Sequence, residues 1–207
     1  MPATNPDNDP IDLSKIKIEF PDAGKYSEED PNFKEELRLL RKELAIPGAI
    51  KAACVHEVGH LTYFRLLGKA LSILPNEFWI VGPAVTYTLN AKYQYEFDHR
   101  VAATRTPFNK DNLDYTDDTL LMLANACFAG GVFSHELANG ALKGDKEDRK
   151  RFHLYYDSAI KQKGQPELLE SELEAGAIRA VTYDLQNVTA RRQVLIDANQ
   201  IGAKYFF

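Results

Sequence analysis

The length, composition and charge of the chain limit what it can be. Its 207 residues are enough for one domain with a substantial core. Hydrophobic residues make up 44% and charged residues 27%, the balance of a soluble globular protein. A net charge of −5, without a basic stripe anywhere in the sequence, argues against a nucleic-acid partner.

The cysteines and the N-terminus indicate the compartment. Cys54 and Cys127 are the only cysteines, and two cysteines inside predicted helices form no disulfide framework, which favours a reducing compartment. The N-terminus lacks the basic-then-apolar pattern of a signal peptide. No run approaches the roughly 20 apolar residues that a membrane-spanning helix needs. We therefore expect a cytoplasmic protein without a membrane span.

Residues 1–31 are expected to form a flexible N-terminal segment, and residues 32–207 the folded domain. The segment is acidic and rich in proline, so it cannot fold alone. Ile16, Ile18 and Phe20 alternate as in a short strand. Two interpretations stay open: a disordered tail with one docked strand, or a lid that lies across an active-site cleft.

Two helices are predicted next. Leu37, Leu40 and Leu44 recur at helical spacing in a helix from Phe33 to Leu44, which Pro47 and Gly48 end. The second helix is predicted from about Ile50 to Leu67, with Gly68 expected to end it. Its apolar residues recur at intervals of three and four and form a buried stripe: Ala52, Ala53, Val55, Val58, Leu61, Phe64 and Leu67.

The second helix contains His56-Glu57-Val58-Gly59-His60, an H-E-x-x-H motif. Residues four apart lie on one side of a helix, so His56 and His60 can bind one zinc ion at nitrogen–metal distances of about 2.0–2.1 Å. Glu57 flanks the same position, where it can act as a general base toward water. Two surface histidines on an ordinary helix are the alternative. Because unpaired polar groups in an apolar segment are costly and a metal removes that cost, the zinc interpretation is favoured.

After this helix the sequence predicts three short strands, at residues 70–74, 78–81 and 85–88. Such a small sheet beside the zinc helix can offer an edge on which an extended peptide adds itself as a strand, or it can simply cover the core. Residues 93–112 are polar and weakly patterned, and we predict a loop or fragments of secondary structure, in which His99 is exposed to solvent.

The rest of the chain is predicted to be helical. Thr116 is expected to cap a long apolar helix that contains Gly130 and Gly131. Each glycine inside a helix costs up to about 1 kcal/mol relative to alanine, so another backbone, that of the zinc helix, is expected to pass close by. Another helix opens near residues 144–148. A final helical region runs from about Glu167 to Asn199, with a break near Asn187.

The motif supplies two ligands, whereas a catalytic zinc takes three and keeps a fourth position for water. A histidine six residues after His60 would mark a metzincin, but residue 66 is leucine. A downstream carboxylate is therefore expected. The candidates on helices are Glu136, Asp145 and Asp148, with His135 as a further possibility.

At residues 53–60 the sequence resembles the zinc helix of the FtsH family, which are membrane-bound AAA+ zinc proteases. Residues 71–75 and 83–88 are similar to the two strands that follow it in that family. Residues 124–137, with two adjacent glycines and Glu136, resemble its helix that ends in paired glutamates. The similarity extends from about residue 33 to the C-terminus. The sequence has no Gly-x-x-x-x-Gly-Lys-Ser/Thr loop and no transmembrane anchor, so it resembles the isolated peptidase domain.

The resemblance also implies that an aspartate near residue 145 is the third ligand, because Gly140-Ala141 before an acidic helix is similar to the family's ligand segment. In the family, small or apolar residues lie four, seven and eight positions after the ligand. Counted from Asp148 these are Phe152, Tyr155 and Tyr156; counted from Asp145 they are Arg149, Phe152 and His153. Asp148 is favoured, with Asp145 as the helix cap and the alternate ligand. Glu136 would then orient a ligand imidazole, or be a plain surface charge.

Together these patterns predict a mostly helical α+β fold, a zincin-like metalloprotease domain with a small β-sheet beside the H-E-x-x-H helix. We expect ATP-independent, zinc-dependent hydrolysis of peptide bonds in peptides or unfolded polypeptides. The expected ligands are His56, His60 and Asp148, and Glu57 is the expected base. Two alternatives stay open: a latent pro-form gated by the N-terminal segment, and a metal-binding pseudoprotease that acts as an interaction module, against which the intact Glu57 argues.

Overall fold

The computed structural model describes residues 17–19, 30–89, 95–108, 115–140, 146–163 and 170–206. Within these ranges six α-helices dominate: α1 (Pro31–Leu44), α2 (Ala49–Ala70), α3 (Asp117–Ala138), α4 (Lys146–Lys163), α5 (Glu170–Asp184) and α6 (Val188–Tyr205). The strands are short: β1 (Lys17–Glu19), β2 (Trp79–Val81), β3 (Ala84–Leu89), β4 (Tyr95–Arg100) and β5 (Ala103–Arg105). The prediction of a mostly helical α+β protein is confirmed.

Helices α2 and α3 cross in direct backbone contact. A Cβ atom on Gly59 would lie 2.7 Å from the carbonyl oxygen of Ala129, and one on Gly130 would lie 2.4 Å from Nε2 of His60. A side chain at either position would therefore collide with α2 or α3. The crossing confirms the prediction that α2, the H-E-x-x-H helix, passes close to the glycine pair of α3.

Helix α3 packs against α2, α4 and α5 and contributes to both apolar clusters of the core. One cluster also contains residues of α1, α2, α5, α6 and the strands, and the other contains residues of α2, α4 and α5. Thr116 caps α3, as predicted, since its hydroxyl accepts a hydrogen bond from the amide of Thr119. Among the described helices α3 alone is long and apolar enough to cross a membrane by composition, but 67% of that stretch is buried against other elements.

The strands form two separate sheets. β3 is the central strand of a three-stranded sheet, with β1 parallel on one side and β4 antiparallel on the other. β2 and β5 form an antiparallel pair in which Ile80 lies opposite Thr104, and this pair packs on α2. The strand predicted around Ile18 is thus present as β1, paired with β3. Of the predicted N-terminal segment, the structure describes residues 17–19, Asp30, which caps α1, and Pro31. The other residues of the segment lie outside the described ranges.

Two predictions of local structure are wrong, and of the two alternatives for residues 93–112 the loop is excluded. Gly68 does not end α2, which continues to Ala70, because Gly68 is buried where the ring of Phe78 packs against its backbone. Residues 70–74 form no strand, since the chain turns at Ser72 with a φ of 59°. Residues 93–112 are not all loop, because they include β4 and β5. Charged residues alternate along β4, as expected for an edge strand with one face in water, and this polarity hid the strand.

His99 is also not the exposed side chain that the sequence predicts. It is largely buried between β4 and α1, where Nδ1 lies 2.5 Å from a carboxylate oxygen of Glu36 and Nε2 lies 3.3 Å from one of Glu43. The imidazole therefore ties α1 to β4. Its partners are 63 and 56 residues away in sequence, a separation that no local pattern reveals.

Replacing Gly59 by alanine is expected to destabilise the fold by about 1–3 kcal/mol, because the new methyl group meets backbone atoms that cannot rotate away. Gly176 in α5 provides the matched control, since a Cβ atom added there would have no neighbour within 4 Å. Gly176→Ala should stabilise the protein by about 0.5–1 kcal/mol through helix propensity. Urea unfolding measures both changes. A Gly59→Ala variant as stable as the wild type would contradict the close crossing.

Candidate metal centre

Three side chains meet where α2, α3 and α4 converge. Nε2 of His56 and Nε2 of His60 lie 3.0 Å apart, and Oδ2 of Asp148 lies 3.1 Å from the first and 3.2 Å from the second. The histidines are one turn apart on α2, whereas Asp148 is in the first turn of α4. The fold thus brings together the three residues that the sequence predicts as ligands. Asp145, the alternate ligand, lies outside the described residues.

The hydrogen-bonding roles within this triangle require a proton or a metal ion between the ring nitrogens and the carboxylate. Nδ1 of His60 lies 2.7 Å from the carbonyl oxygen of Ala126, and since a carbonyl only accepts, Nδ1 carries the hydrogen. In the neutral imidazole Nε2 then presents its lone pair to His56 and Asp148. Electron-rich atoms at these distances repel one another unless a proton or a metal ion lies between them. The tautomer set by Ala126 is the one in which Nε2 can bind a metal.

The spacing of the triangle fits a tetrahedral metal site. Ligand bonds of about 2.0–2.1 Å place neighbouring ligand atoms about 3.3 Å apart in such a site. The three observed separations, 3.0, 3.1 and 3.2 Å, are close to that value. Three protein ligands leave one position open, which distinguishes catalytic sites from the four-ligand structural ones. His56, His60 and Asp148 are therefore a candidate metal site.

The electrostatics of the triangle suit a cation as well. Burial by itself lowers the pKa of His60, but the Asp148 carboxylate, with smaller contributions from Glu57 and the Ala126 carbonyl, raises this pKa to about 9. Burial likewise raises the pKa of Asp148, and the two neighbouring histidines outweigh it and hold this pKa far below its usual range. Asp148 is therefore ionised at neutral pH, which is the form that binds a metal.

Glycine at position 130 makes room for the two imidazoles. A Cβ atom there would lie 2.4 Å from Nε2 of His60 and 2.8 Å from Nε2 of His56, the two nitrogens that point into the triangle. The sequence indicated that another backbone would pass this glycine, but not that ligand side chains would lie against it. Gly130 therefore contributes to the site because its lack of a side chain leaves room for the two imidazole rings.

Asp148 is held in place by contacts of its own helix. Arg149 donates hydrogen bonds from Nε and Nη2 to Oε1 of Glu174 on α5, at 3.0 and 2.7 Å, and the Glu174 side chain is buried. Further along α4, Phe152 packs edge-on against Phe128 of α3. These contacts fix the first turn of α4 against its neighbours. The role of Glu174 was missed, although a carboxylate next to the apolar Leu173 on a helix is a signal for a buried ion pair.

His60 is oriented by a backbone carbonyl group and not by the side chain that the sequence predicts. Glu136, predicted to orient a ligand imidazole, has an exposed side chain near the end of α3. For His60 the orienting contact comes instead from the backbone carbonyl of Ala126, nearly three turns earlier on α3. A carbonyl can come from any residue type, so no side-chain pattern in the sequence indicates it.

Glu57 stands beside the triangle without being part of it. Its Oε2 accepts a hydrogen bond of 2.7 Å from the hydroxyl of Thr104 on β5, and the same hydroxyl lies 2.9 Å from the Glu57 backbone carbonyl oxygen. The Glu57 charge also contributes to the raised pKa of His60, so the carboxylate is electrostatically coupled to the site. Thr104 was missed because it falls in the predicted loop.

Two other sets of reactive or metal-binding side chains are present among the residues that the structure describes. Cys54 and Cys127 are buried, and burial raises the pKa of Cys54 to about 12 and raises that of Cys127, so both are neutral thiols at neutral pH. Glu36, Asp98 and His99 also lie within ligand distance of one another. There, however, both nitrogens of His99 already face carboxylates.

A cavity of about 970 Å³ lies against α2, α5 and α6, away from the triangle. It is lined by residues of α2 that point to the other side of that helix, among them Thr62, Arg65 and Leu66, together with Phe133 and Val194. The ligand triangle and Glu57 do not line it. The cavity and the candidate metal site are therefore on different faces of α2.

Comparison with known proteins found no relative: no protein-family model, no curated protein and no solved structure matches the chain. The interpretation of the site therefore depends on its own geometry.

Replacing Asp148 by asparagine is expected to weaken zinc binding by at least about 100-fold, because a neutral amide oxygen is a much poorer ligand than a carboxylate. Asp145→Asn is the matched control and should change the affinity little, since asparagine caps helices about as well as aspartate. Competition with a chromophoric chelator measures both affinities. The reverse order of the two variants would move the third ligand to Asp145.

Proposed function

We propose that the protein is a zinc-dependent metalloendopeptidase that hydrolyses peptide bonds in peptides or unfolded polypeptides. The observation that carries this proposal is the triangle of His56, His60 and Asp148 with the Glu57 carboxylate beside it. Three ligands with one open position, next to a carboxylate that is not a ligand, provide the two elements of metal-assisted hydrolysis. The resemblance of residues 53–60 to the FtsH zinc helix supports the same assignment.

The donor atoms support zinc as the metal that we propose. Two imidazole nitrogens and one carboxylate oxygen form a ligand set of the type found in catalytic zinc sites. Magnesium and calcium prefer ligand sets made of oxygen atoms, which two imidazoles do not provide. The buried cysteine thiols of this protein are protonated at neutral pH and supply no thiolate ligand.

The residues have separate roles in the reaction. His56, His60 and Asp148 would hold a zinc ion, which when bound would supply the Lewis acidity to polarise the scissile carbonyl and to lower the pKa of water toward about 7. The Ala126 carbonyl fixes the tautomer of His60. Glu57 accepts the proton of the attacking water molecule at its carboxylate and returns it to the leaving amine.

A peptide substrate suits the surroundings of Glu57. The β2–β5 pair packs on α2 and contacts Glu57 through Thr104, and an extended chain can add to the edge of such a pair by main-chain hydrogen bonds. A folded substrate offers no free extended segment, so peptides and unfolded polypeptides are the substrates we propose. We propose that this domain by itself hydrolyses such substrates without ATP.

The observed pairing of β1 bears on the alternative of a latent pro-form. β1 pairs with β3 in the three-stranded sheet, whereas the sheet that contacts Glu57 consists of β2 and β5. The described part of the N-terminal segment therefore leaves the β2–β5 edge to a substrate. The intact Glu57 favours an enzyme over an interaction module, because a metal with a purely structural role needs no base beside it.

Glu57→Gln should bind zinc as well as the wild type, because Glu57 is not a ligand, and should lose peptidase activity by at least about 1,000-fold, because glutamine cannot accept the proton. Glu77→Gln, a change of an exposed glutamate, is the matched control and should keep full activity. Metal analysis and cleavage of an unstructured protein substrate provide the two readouts.

Each other outcome of this experiment has a defined meaning. Wild-type activity in Glu57→Gln would show that another group is the base. Loss of zinc from this variant would make Glu57 part of the metal site. Zinc-loaded wild-type protein that cleaves no unstructured substrate would contradict the proposed activity and favour the interaction module.

A further inference from the structure

The Glu57 carboxylate is tied to β5 by a side chain that no motif includes. Thr104 is the middle residue of this three-residue strand and pairs with Ile80 of β2. Its hydroxyl lies 2.7 Å from Oε2 of Glu57 and is partly buried. A hydrogen bond to an ionised carboxylate is stronger than one between neutral groups, so this contact is a substantial constraint on the Glu57 side chain.

The constraint matters because a glutamate is otherwise mobile. A glutamate side chain has several rotatable bonds, and fixing it in one conformation costs up to about 2 kcal/mol of entropy. Threonine is branched at Cβ and has few conformations of its own, so its hydroxyl is a fixed point. The strand that carries Thr104 is held by its pairing with β2, in which Ile80 is buried. The contact therefore joins a mobile carboxylate to a rigid support.

The hydroxyl has a second acceptor on the same residue. Oγ1 of Thr104 lies 2.9 Å from the backbone carbonyl oxygen of Glu57 and 2.7 Å from its carboxylate, while a hydroxyl has only one hydrogen to donate. Both acceptors belong to Glu57, so the hydroxyl is held beside this residue by its backbone as well as by its carboxylate.

We propose that Thr104 is a positioning residue for the reaction: it holds Oε2 of Glu57 against β5 and thereby directs Oε1 to the attacking water molecule. This inference rests on the proposed function, because it assigns Thr104 a role in that reaction. A purely structural role, in which the hydroxyl only ties β5 to the backbone of α2, makes different predictions for zinc content and kinetics.

The test compares Thr104→Val, which keeps the shape of the side chain but lacks the hydroxyl, with Thr104→Ser, which keeps the hydroxyl. Thr86→Val on β3 is the matched control, since the hydroxyl of Thr86 lies 3.5 Å from the backbone carbonyl oxygen of Asp98 on β4, in the sheet that does not include β5. Each full-length variant is assayed for zinc content, for kcat and KM on an unstructured peptide, and for affinity for a peptide hydroxamate. A hydroxamate chelates the metal and donates a hydrogen to a neighbouring carboxylate, so its binding reports the position of Glu57 without turnover.

We expect Thr104→Val to keep its zinc and its KM, and to lose about 10- to 100-fold in kcat, part of the rate that a positioned base supplies. Its hydroxamate affinity should fall about 10-fold, the effect of one lost hydrogen bond to a charged group. Thr104→Ser should restore both values to within about threefold of the wild type. Thr86→Val should match the wild type.

Three results would overturn the inference: unchanged kcat and hydroxamate affinity in Thr104→Val, equal losses in the valine and serine variants, or loss of zinc in Thr104→Val. The hydroxamate separates this inference from the proposed function. If the zinc-loaded wild type binds the hydroxamate but cleaves no peptide, the proposed function fails, and the hydroxamate affinities of the two variants still decide whether Thr104 positions Glu57. A wild-type protein that shows neither binding nor cleavage overturns both.

Discussion

The close crossing of α2 and α3 is the constraint on which the site depends. Gly59 allows the backbone of α3 to approach α2, and Gly130 leaves the space that the ring nitrogens of His56 and His60 occupy. At this separation the Ala126 carbonyl reaches Nδ1 of His60 and sets its tautomer. A larger residue at either glycine would separate the helices and move the imidazoles. The same contact therefore stabilises the core and orients the candidate ligands.

The third side chain of the triangle depends on a different set of contacts. Asp148 reaches the histidines because α4 packs on α3 through Phe152 and is joined to α5 by the pair of Arg149 and Glu174. A buried carboxylate beside two imidazoles would carry a large desolvation cost without a cation to compensate. The surrounding helices thus hold a polar arrangement that a metal ion would stabilise, so the stability of the core would be coupled to occupation of the candidate site.

The sequence predicted what depends on local spacing. Four features are visible within a few residues of sequence: the period of the H-E-x-x-H helix, the cap at Thr116, the helix break at Asn187 and the close approach of another helix at the glycines of α3. Asp148 was chosen over Asp145 only through a resemblance, because its partners lie 92 and 88 residues away. Thr104 was missed because a strand with polar residues resembles a loop. Ala126 was missed because a backbone carbonyl can come from any residue type. Glu174 was missed because an ion pair between helices depends on how the helices pack.

X-ray absorption at the zinc edge, on protein loaded with one equivalent of zinc, tests most directly whether His56, His60 and Asp148 bind the metal. We expect a first shell of nitrogen and oxygen at about 2.0–2.1 Å, with outer-shell scattering from two imidazole rings. Sulfur scattering at about 2.3 Å would place the metal at Cys54 or Cys127, and one imidazole or none would contradict the pairing of His56 with His60. Failure to retain zinc during loading would contradict the metal centre itself.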